Sequence, residues 1–159
     1  MSPAEPYSIR EYQPSDRAGC LAVFRTNMPS FFHEKELDEF KEFLENLPGP
    51  YLVVVDSSGS VVGCGGYAQA QEPGAADLCW GMIRRDLHGE GLGRRLTEAR
   101  IEGARMDPSL KSIVMHTSQH TTGFYELMGF EMTRETPNGY GPGLHRCDMR
   151  LSLVEGKGR

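Results

Sequence analysis

Cysteine is scarce in this sequence and never clustered. The four cysteines (Cys20, Cys64, Cys79, Cys147) stand at least 15 residues apart with no Cys-x-x-Cys pair, a pattern of reduced, buried thiols in a cytoplasmic protein rather than of a disulfide framework. Long apolar runs are missing too. Stretches such as Tyr51 to Val55 fall far short of the roughly 20 residues that span a bilayer, so no membrane partner is expected. Met1 to Arg10 lacks the basic start and apolar core of a secretion signal. Basic residues are not in excess: Lys and Arg number 17 against 22 acids, a formal charge of −5, which argues against nucleic acid as a partner. What is present is a globular balance over 159 residues, 38% apolar and 25% charged. That is room for a single domain over 1–159, with 155–159 as a frayed tail.

The order of elements follows from periodicity and breakers. Tyr7 to Tyr12 reads as a short strand. Pro14-Ser15-Asp16 starts a helix carrying Cys20, Leu21 and Phe24, and Met28-Pro29 closes it. Leu37, Phe40, Phe43, Leu44 and Leu47 recur at helical spacing between about His33 and Leu47. Tyr51 to Val55, Val61 to Ala70 and Asp77 to Ile83 are strands joined by short turns, hence antiparallel. A helix from Gly91 to about Met106 follows, then a strand from Ser112 to His116 and a helix near Gln119 to Leu127. Two strands, Phe130 to Arg134 and His145 to Leu153, flank a segment rich in glycine and proline (Thr136 to Leu144) that reads as a functional loop. The fold class is α/β (α+β), a mixed, mostly antiparallel sheet with helices on its faces.

One segment carries chemistry. His88-Gly89-Glu90-Gly91-Leu92-Gly93-Arg94-Arg95 joins a strand to a helix. Glycines let the main chain approach a ligand closely and adopt positive φ. The helix behind them starts with free N–H groups and the positive end of its dipole, an anion site. Arg94 and Arg95 add formal charge, so a phosphate is the natural guest. The dinucleotide fingerprint fails, because Arg94 stands where its last glycine belongs, and the Gly-Lys-Ser/Thr of a mononucleotide loop is absent.

The segment resembles the loop of the acetyl-CoA-dependent N-acetyltransferases of the GNAT superfamily: Gln or Arg, two residues, then Gly-x-Gly or Gly-x-Ala. The glycines match, whereas His88 stands where Gln or Arg is usual. A second motif about 30 residues on strengthens the resemblance. Tyr125, Glu126, Gly129 and Phe130 match the Tyr-Glu-x-x-Gly-Phe that ends the family's second conserved helix, Ser118 stands at a place often held by Asn, and Thr121 replaces a frequent Ala. Gly129 also suits a helix C-terminus. The resemblance covers about residues 51 to 153.

It implies a GNAT fold of six to seven strands with splayed central strands, acetyl-CoA as co-substrate, and a primary amine of a small molecule or peptide as acceptor. It further implies that the backbone of Met82, Ile83 and Arg84 holds the pantetheine arm, one N–H facing the developing oxyanion. His88, Gly89, Glu90, Gly91, Leu92, Gly93, Arg94 and Arg95 would cradle the pyrophosphate, with Ser118 and Tyr125 also contacting the cofactor. Tyr125 is the implied catalytic acid that protonates the departing thiolate. A phenol near pKa ~10 and a thiol near ~8.5 are close enough to share a proton. Phe124 is expected to pack under the helix end. No metal is called for, no cysteine lies in a nucleophile context, and the family admits a homodimer. A coenzyme A-binding sensor of the same fold is the alternative function, and a protein-interaction domain with a plain glycine turn is a second.

The base that would deprotonate the amine is not fixed by any motif. Glu72, Asp77, His116 and His120 are candidates by type, and a structural role is the plainer reading of each. Trp80 serves either the core or an acceptor pocket. From Met82 to Arg105 six arginines face four acids, a net +2 within a chain of −5. This fits a polyanion bound at one place or helix salt pairing of Glu98 with Arg94 and Arg95. The net −4 from Glu34 to Glu45 reads as the solvated face of an amphipathic helix. Phe31, Phe32 and Tyr140 are placed in loops that would line an acceptor pocket.

Overall fold

A computed structural model describes residues 6–28 and 34–154; Phe31 and Phe32 lie outside them. Seven strands, β1 (Tyr7–Glu11), β2 (Tyr51–Asp56), β3 (Val61–Gln69), β4 (Ala75–Ile83), β5 (Ser112–Thr117), β6 (Glu131–Gly141) and β7 (Leu144–Ser152), form a sheet in the order β1-β2-β3-β4-β5-β7-β6. The helices are α1 (Arg17–Thr26), α2 (Glu34–Glu45), α3 (Leu92–Arg105) and α4 (Thr122–Leu127). Contacts divide the chain into two compact units. One holds residues up to Ala68 together with Cys79–Arg100, the other Gln69–Leu78 with everything from Ile101 on.

In the first unit β2 pairs antiparallel with β1 and β3. Side chains alternate across a strand, and β2 uses both faces. Val53 and Val55 join Cys20, Val23, Phe24, Phe40 and Leu44 of α1 and α2, while Val54 packs with Val62, Ile83, Leu92 and Leu96, the last two from α3. Helices thus cover both faces, as expected. The acidic α2 turns Phe40 and Leu44 inward and leaves most of its carboxylates exposed. Trp80 meets Phe40, Phe43 and Phe24 in tilted ring contacts at the edge of the same core. Cys20, Cys64 and Cys147 are buried, and all four cysteines are free thiols.

In the second unit β4 and β5 run parallel over Ala75–Asp77 and Ser112–Val114; β4 continues to Ile83 and β5 to Thr117. β5 and β7 pair antiparallel from Ser112↔Ser152 to Thr117↔Cys147. The glycine-rich segment expected to be a loop is strand instead. β6 runs through it to Gly141, and the turn shrinks to the residues before Leu144. The irregularity survives as a register shift between Thr136 and Gly141. Asn138 sits there at φ 56°, its N–H donating to His145 Nδ1 at 3.0 Å and its side-chain oxygen accepting from Gly143 N–H at 2.7 Å. Asparagine tolerates the left-handed conformation and bonds its own turn, so the composition reports a bulge rather than a free loop. Among the described residues no helix is long and apolar enough to cross a membrane.

Candidate active site

The first unit carries the glycine turn. After Ile83 the chain makes one short helical turn, Arg85–Leu87, and reaches α3 through Gly89 (φ 84°) and Gly91 (φ 87°). Both glycines hold a backbone conformation that an L side chain adopts only with strain, and a Cβ on either would meet nothing within 4 Å. Their requirement is therefore conformational, and the space above them is open. Gly89, Glu90 and Gly91 are exposed and Leu92 is buried, fixing the helix start against the core. Arg95 N–H donates to the Gly91 carbonyl at 3.1 Å. The N–H groups of Leu92, Gly93 and Arg94 precede it, the groups a helix start leaves without an intrahelical acceptor. Open space, positive-φ glycines and these amides suit a diphosphate.

The charged neighbours divide. Arg94 pairs with Glu98 at 3.1 Å, the helix pairing expected of it. Arg95 also donates to the Tyr7 carbonyl at 3.3 Å. Arg84 pairs with Asp86 at 2.7 Å.

At the end of β4 the Ile83 carbonyl accepts from Asn27 Nδ2 at 3.0 Å and lies 2.8 Å from His88 Nε2. The Arg84 N–H donates to the Val62 carbonyl at 2.8 Å, and the Arg84 carbonyl accepts from Leu87 N–H at 2.9 Å. Met82 and Ile83 bury their side chains. Asn27 was not singled out in the sequence, where it reads as a helix end before Met28-Pro29; its position on the inward stripe with Cys20 and Phe24 is the one signal for it.

The second unit carries Tyr125. Thr121 N–H bonds the Ser118 carbonyl in a turn that delays α4 to Thr122, later than expected. Ser118 Oγ accepts from His120 N–H at 3.2 Å. Phe130, not Phe124, packs under the helix end: it is buried while Phe124 is exposed. Tyr125 stands edge-on between the two rings, at 4.9 Å and 5.6 Å. Gly129 takes φ 104° and closes the helix as expected.

An open pocket of about 240 Å³ in the same unit is lined by Glu72, Asp77, His116, Arg146, Asp148 and Arg150 among others. Glu72 pairs with Arg150 at 2.7 Å and Arg146 with Asp148 at 3.1 Å. Burial raises the Asp77 carboxyl, with His116 opposing. Burial and the nearby Arg146 guanidinium push His116 below its ordinary value, with Asp148 and Asp77 opposing. His116 Nδ1 makes a close hydrogen bond with the Tyr140 hydroxyl. Arg146 and Asp148 escaped the sequence reading; their alternate positions on β7 were the available clue. Among the described residues no group of three His, Cys, Asp or Glu is arranged to hold a metal ion.

Residues 20–153 match the family model described as the acetyltransferase (GNAT) domain. The chain belongs to this family. Among solved structures, the aminoglycoside 6′-N-acetyltransferase from Enterococcus faecium is 15% identical with a TM-score of 0.80, covering 94% of this chain and 99% of its own. A GCN5-related N-acetyltransferase from Kribbella flavida is 19% identical with a TM-score of 0.79 and the same coverage. An aminoglycoside 6′-N-acetyltransferase solved with coenzyme A is 15% identical, TM-score 0.79, again covering 94% and 99%. At these identities the likeness shows the GNAT fold. Among curated proteins none matches the sequence.

Proposed function

We propose that this GNAT chain is an N-acetyltransferase that moves the acetyl group of acetyl-CoA directly to a primary amine of a small molecule or peptide. The observation that carries the reading is the exposed pair Gly89 and Gly91 at positive φ in open space at the start of α3. The family match spans residues of both units, which supports one acetyltransferase domain.

Acetyl-CoA, when bound, supplies the acetyl group as an activated thioester. The amides from Gly89 to Arg94 hold its diphosphate together with the α3 dipole, and because Arg94 and Arg95 already have partners, their charge adds a field rather than a dedicated grip. Glu90 stays solvated at the rim. His88 closes the turn onto β4 instead of reaching the ligand. The main chain of Met82 and the N–H of Ile83 hold the pantetheine arm, whereas Arg84 spends its N–H on the Val62 carbonyl and its carbonyl on Leu87; Ser118 contributes from the second motif. Tyr125 holds the proton that the departing sulfur needs, its ring kept in place by Phe124 and Phe130.

The acceptor amine enters the pocket of the second unit. There His116 takes its proton at Nε2 while Nδ1–H donates to the Tyr140 oxygen, and Asp77 favours the resulting imidazolium. A new C–N bond forms as the C–S bond breaks. The nitrogen sheds its remaining extra proton to solvent, Tyr125 gives its proton to the sulfur and regains one, and His116 releases its own, so the products are amide, free thiol and one proton. Thiol release from acetyl-CoA over a panel of primary amines tests the reading. Turnover on at least one amine is expected. Tight acetyl-CoA binding with no turnover on any amine would favour a coenzyme A sensor instead.

A further inference from the structure

β4 contains a bulky residue in a conformation that such residues avoid. Trp80 sits at φ 41°, a genuine outlier for an aromatic side chain. Strain of this kind persists only where the surroundings over-determine it. Here they do, from two sides. The Tyr51 hydroxyl on β2 donates to the Trp80 carbonyl at 2.8 Å. Arg100 on α3 donates from Nη2 to the Cys79 carbonyl at 3.4 Å and from Nε to the Gly66 carbonyl of β3 at 3.1 Å. Two consecutive carbonyls, one on each side of the strained residue, are thus held by side chains from different elements.

Both donors are buried, Tyr51 at 3% exposure and Arg100 at 4%. Burial holds the Tyr51 phenol far above its ordinary value, so it remains a donor. The sequence makes room for them. A Cβ at Gly81 would stand 2.6 Å from Arg100 Nη1, one at Gly65 3.2 Å from its Cζ, and one at Gly66 2.7 Å from Tyr51 Cδ1. Glycine at these three places lets the guanidinium and the phenol lie directly on the strands. Burying a guanidinium is costly unless hydrogen bonds compensate it, and here backbone carbonyls of β3 and β4 accept from it.

We propose that Tyr51 and Arg100 are positioning residues that lock the strained turn of β4 at Trp80 and thereby fix the main chain of the residues that follow, Gly81 to Arg84. The inference rests on the acetyltransferase reading, in which Met82 and Ile83 present their backbone to the thioester. A main-chain N–H can stabilise a developing oxyanion only when held in place beforehand, and the clamp does this without touching substrate.

Tyr51→Phe in the full chain removes one oxygen from the clamp, and Arg100→Lys keeps the charge while breaking the fork. Amide hydrogen exchange at Gly81 to Arg84 is read alongside kcat and KM. Trp80, the single tryptophan, reports its own surroundings by near-ultraviolet circular dichroism. The expected result for Tyr51→Phe is exchange at Gly81 to Arg84 faster by about tenfold or more, the fold-change of one lost buried hydrogen bond. An altered Trp80 signal and kcat lowered about tenfold, with KM for acetyl-CoA within twofold, are expected with it. Arg100→Lys should act in the same direction. Unaltered exchange at Gly81 to Arg84, or faster exchange spread evenly over β2, β3 and β4 with kcat intact, overturns the proposal. If the unsubstituted chain turns over no amine, the acetyltransferase reading falls, and the exchange and dichroism results still decide whether the clamp exists.

Discussion

His88 reaches back across the glycine turn to the carbonyl of Ile83, Nε2 to oxygen at 2.8 Å. The same carbonyl accepts from the buried Asn27 at 3.0 Å, so the residue that departs from the family's usual Gln or Arg ties the first residue of the cradle to the end of β4. The ring nitrogen must carry its proton to donate there, and a carbonyl with two donors is fully satisfied.

Replacing His88 with Ala should therefore loosen the cradle rather than delete a ligand contact. One hydrogen bond of about 1 kcal/mol is a roughly fivefold effect. Acetyl-CoA affinity measured by titration calorimetry should weaken by about that factor, with kcat at saturating acetyl-CoA little altered. A loss of 100-fold or more would mean that the imidazole touches the cofactor directly.

Gly91→Val forces a β-branched residue to φ 87°. A strained non-glycine residue costs about 1–3 kcal/mol. The melting temperature of the unliganded chain should fall by several degrees, and the extra stabilisation that saturating acetyl-CoA gives the native chain should largely vanish. Full retention of that ligand-induced shift would place the phosphate elsewhere.

Tyr125→Phe keeps the ring between Phe124 and Phe130 and removes the acid. General-acid catalysis typically contributes about 100-fold or more. Turnover should drop by about that factor while acetyl-CoA binding stays within twofold. Unchanged turnover removes Tyr125 from the mechanism.

His116 is held below its ordinary value mainly by burial and then by Arg146. Its working form as a base is neutral, so kcat/KM should hold as pH falls past about 6.5, the ordinary imidazole value, and decline only at lower pH. Arg146→Gln removes the second cause and should move that acid limb upward. Stability carries the same sign: a histidine whose folded pKa is lowered binds fewer protons folded than unfolded, so its contribution is fully present above about pH 6.5 and is lost progressively as pH falls from there through the lower folded value. A pH profile unaltered by His116→Gln would exclude it as the base.

Much of the fold was legible because it rests on local signals. The β-branched run Tyr51 to Val55 and the helical spacing of Phe40, Phe43 and Leu44 each specify an element by themselves. The β6–β7 hairpin was not, because Asn138, Gly139, Gly141 and Gly143 look the same in a loop and in a bulged strand; only the ladder to His145 and Arg146 tells them apart. The glycine turn was readable because its chemistry lies in the backbone, which glycine announces. Asn27, Tyr51 and Arg100 were not readable as site residues, since their partners are carbonyls distant in sequence, and no spacing rule connects a side chain to a carbonyl across a sheet.

The central claim is that main-chain amides at the start of α3 hold the diphosphate of acetyl-CoA. Backbone amide spectra of isotope-labelled chain, recorded during an acetyl-CoA titration, test it most directly. The expected outcome is large shifts at Gly89, Gly91, Leu92 and Gly93 that saturate together. Saturable binding that leaves those four amides unmoved, or no binding at millimolar acetyl-CoA, would contradict it.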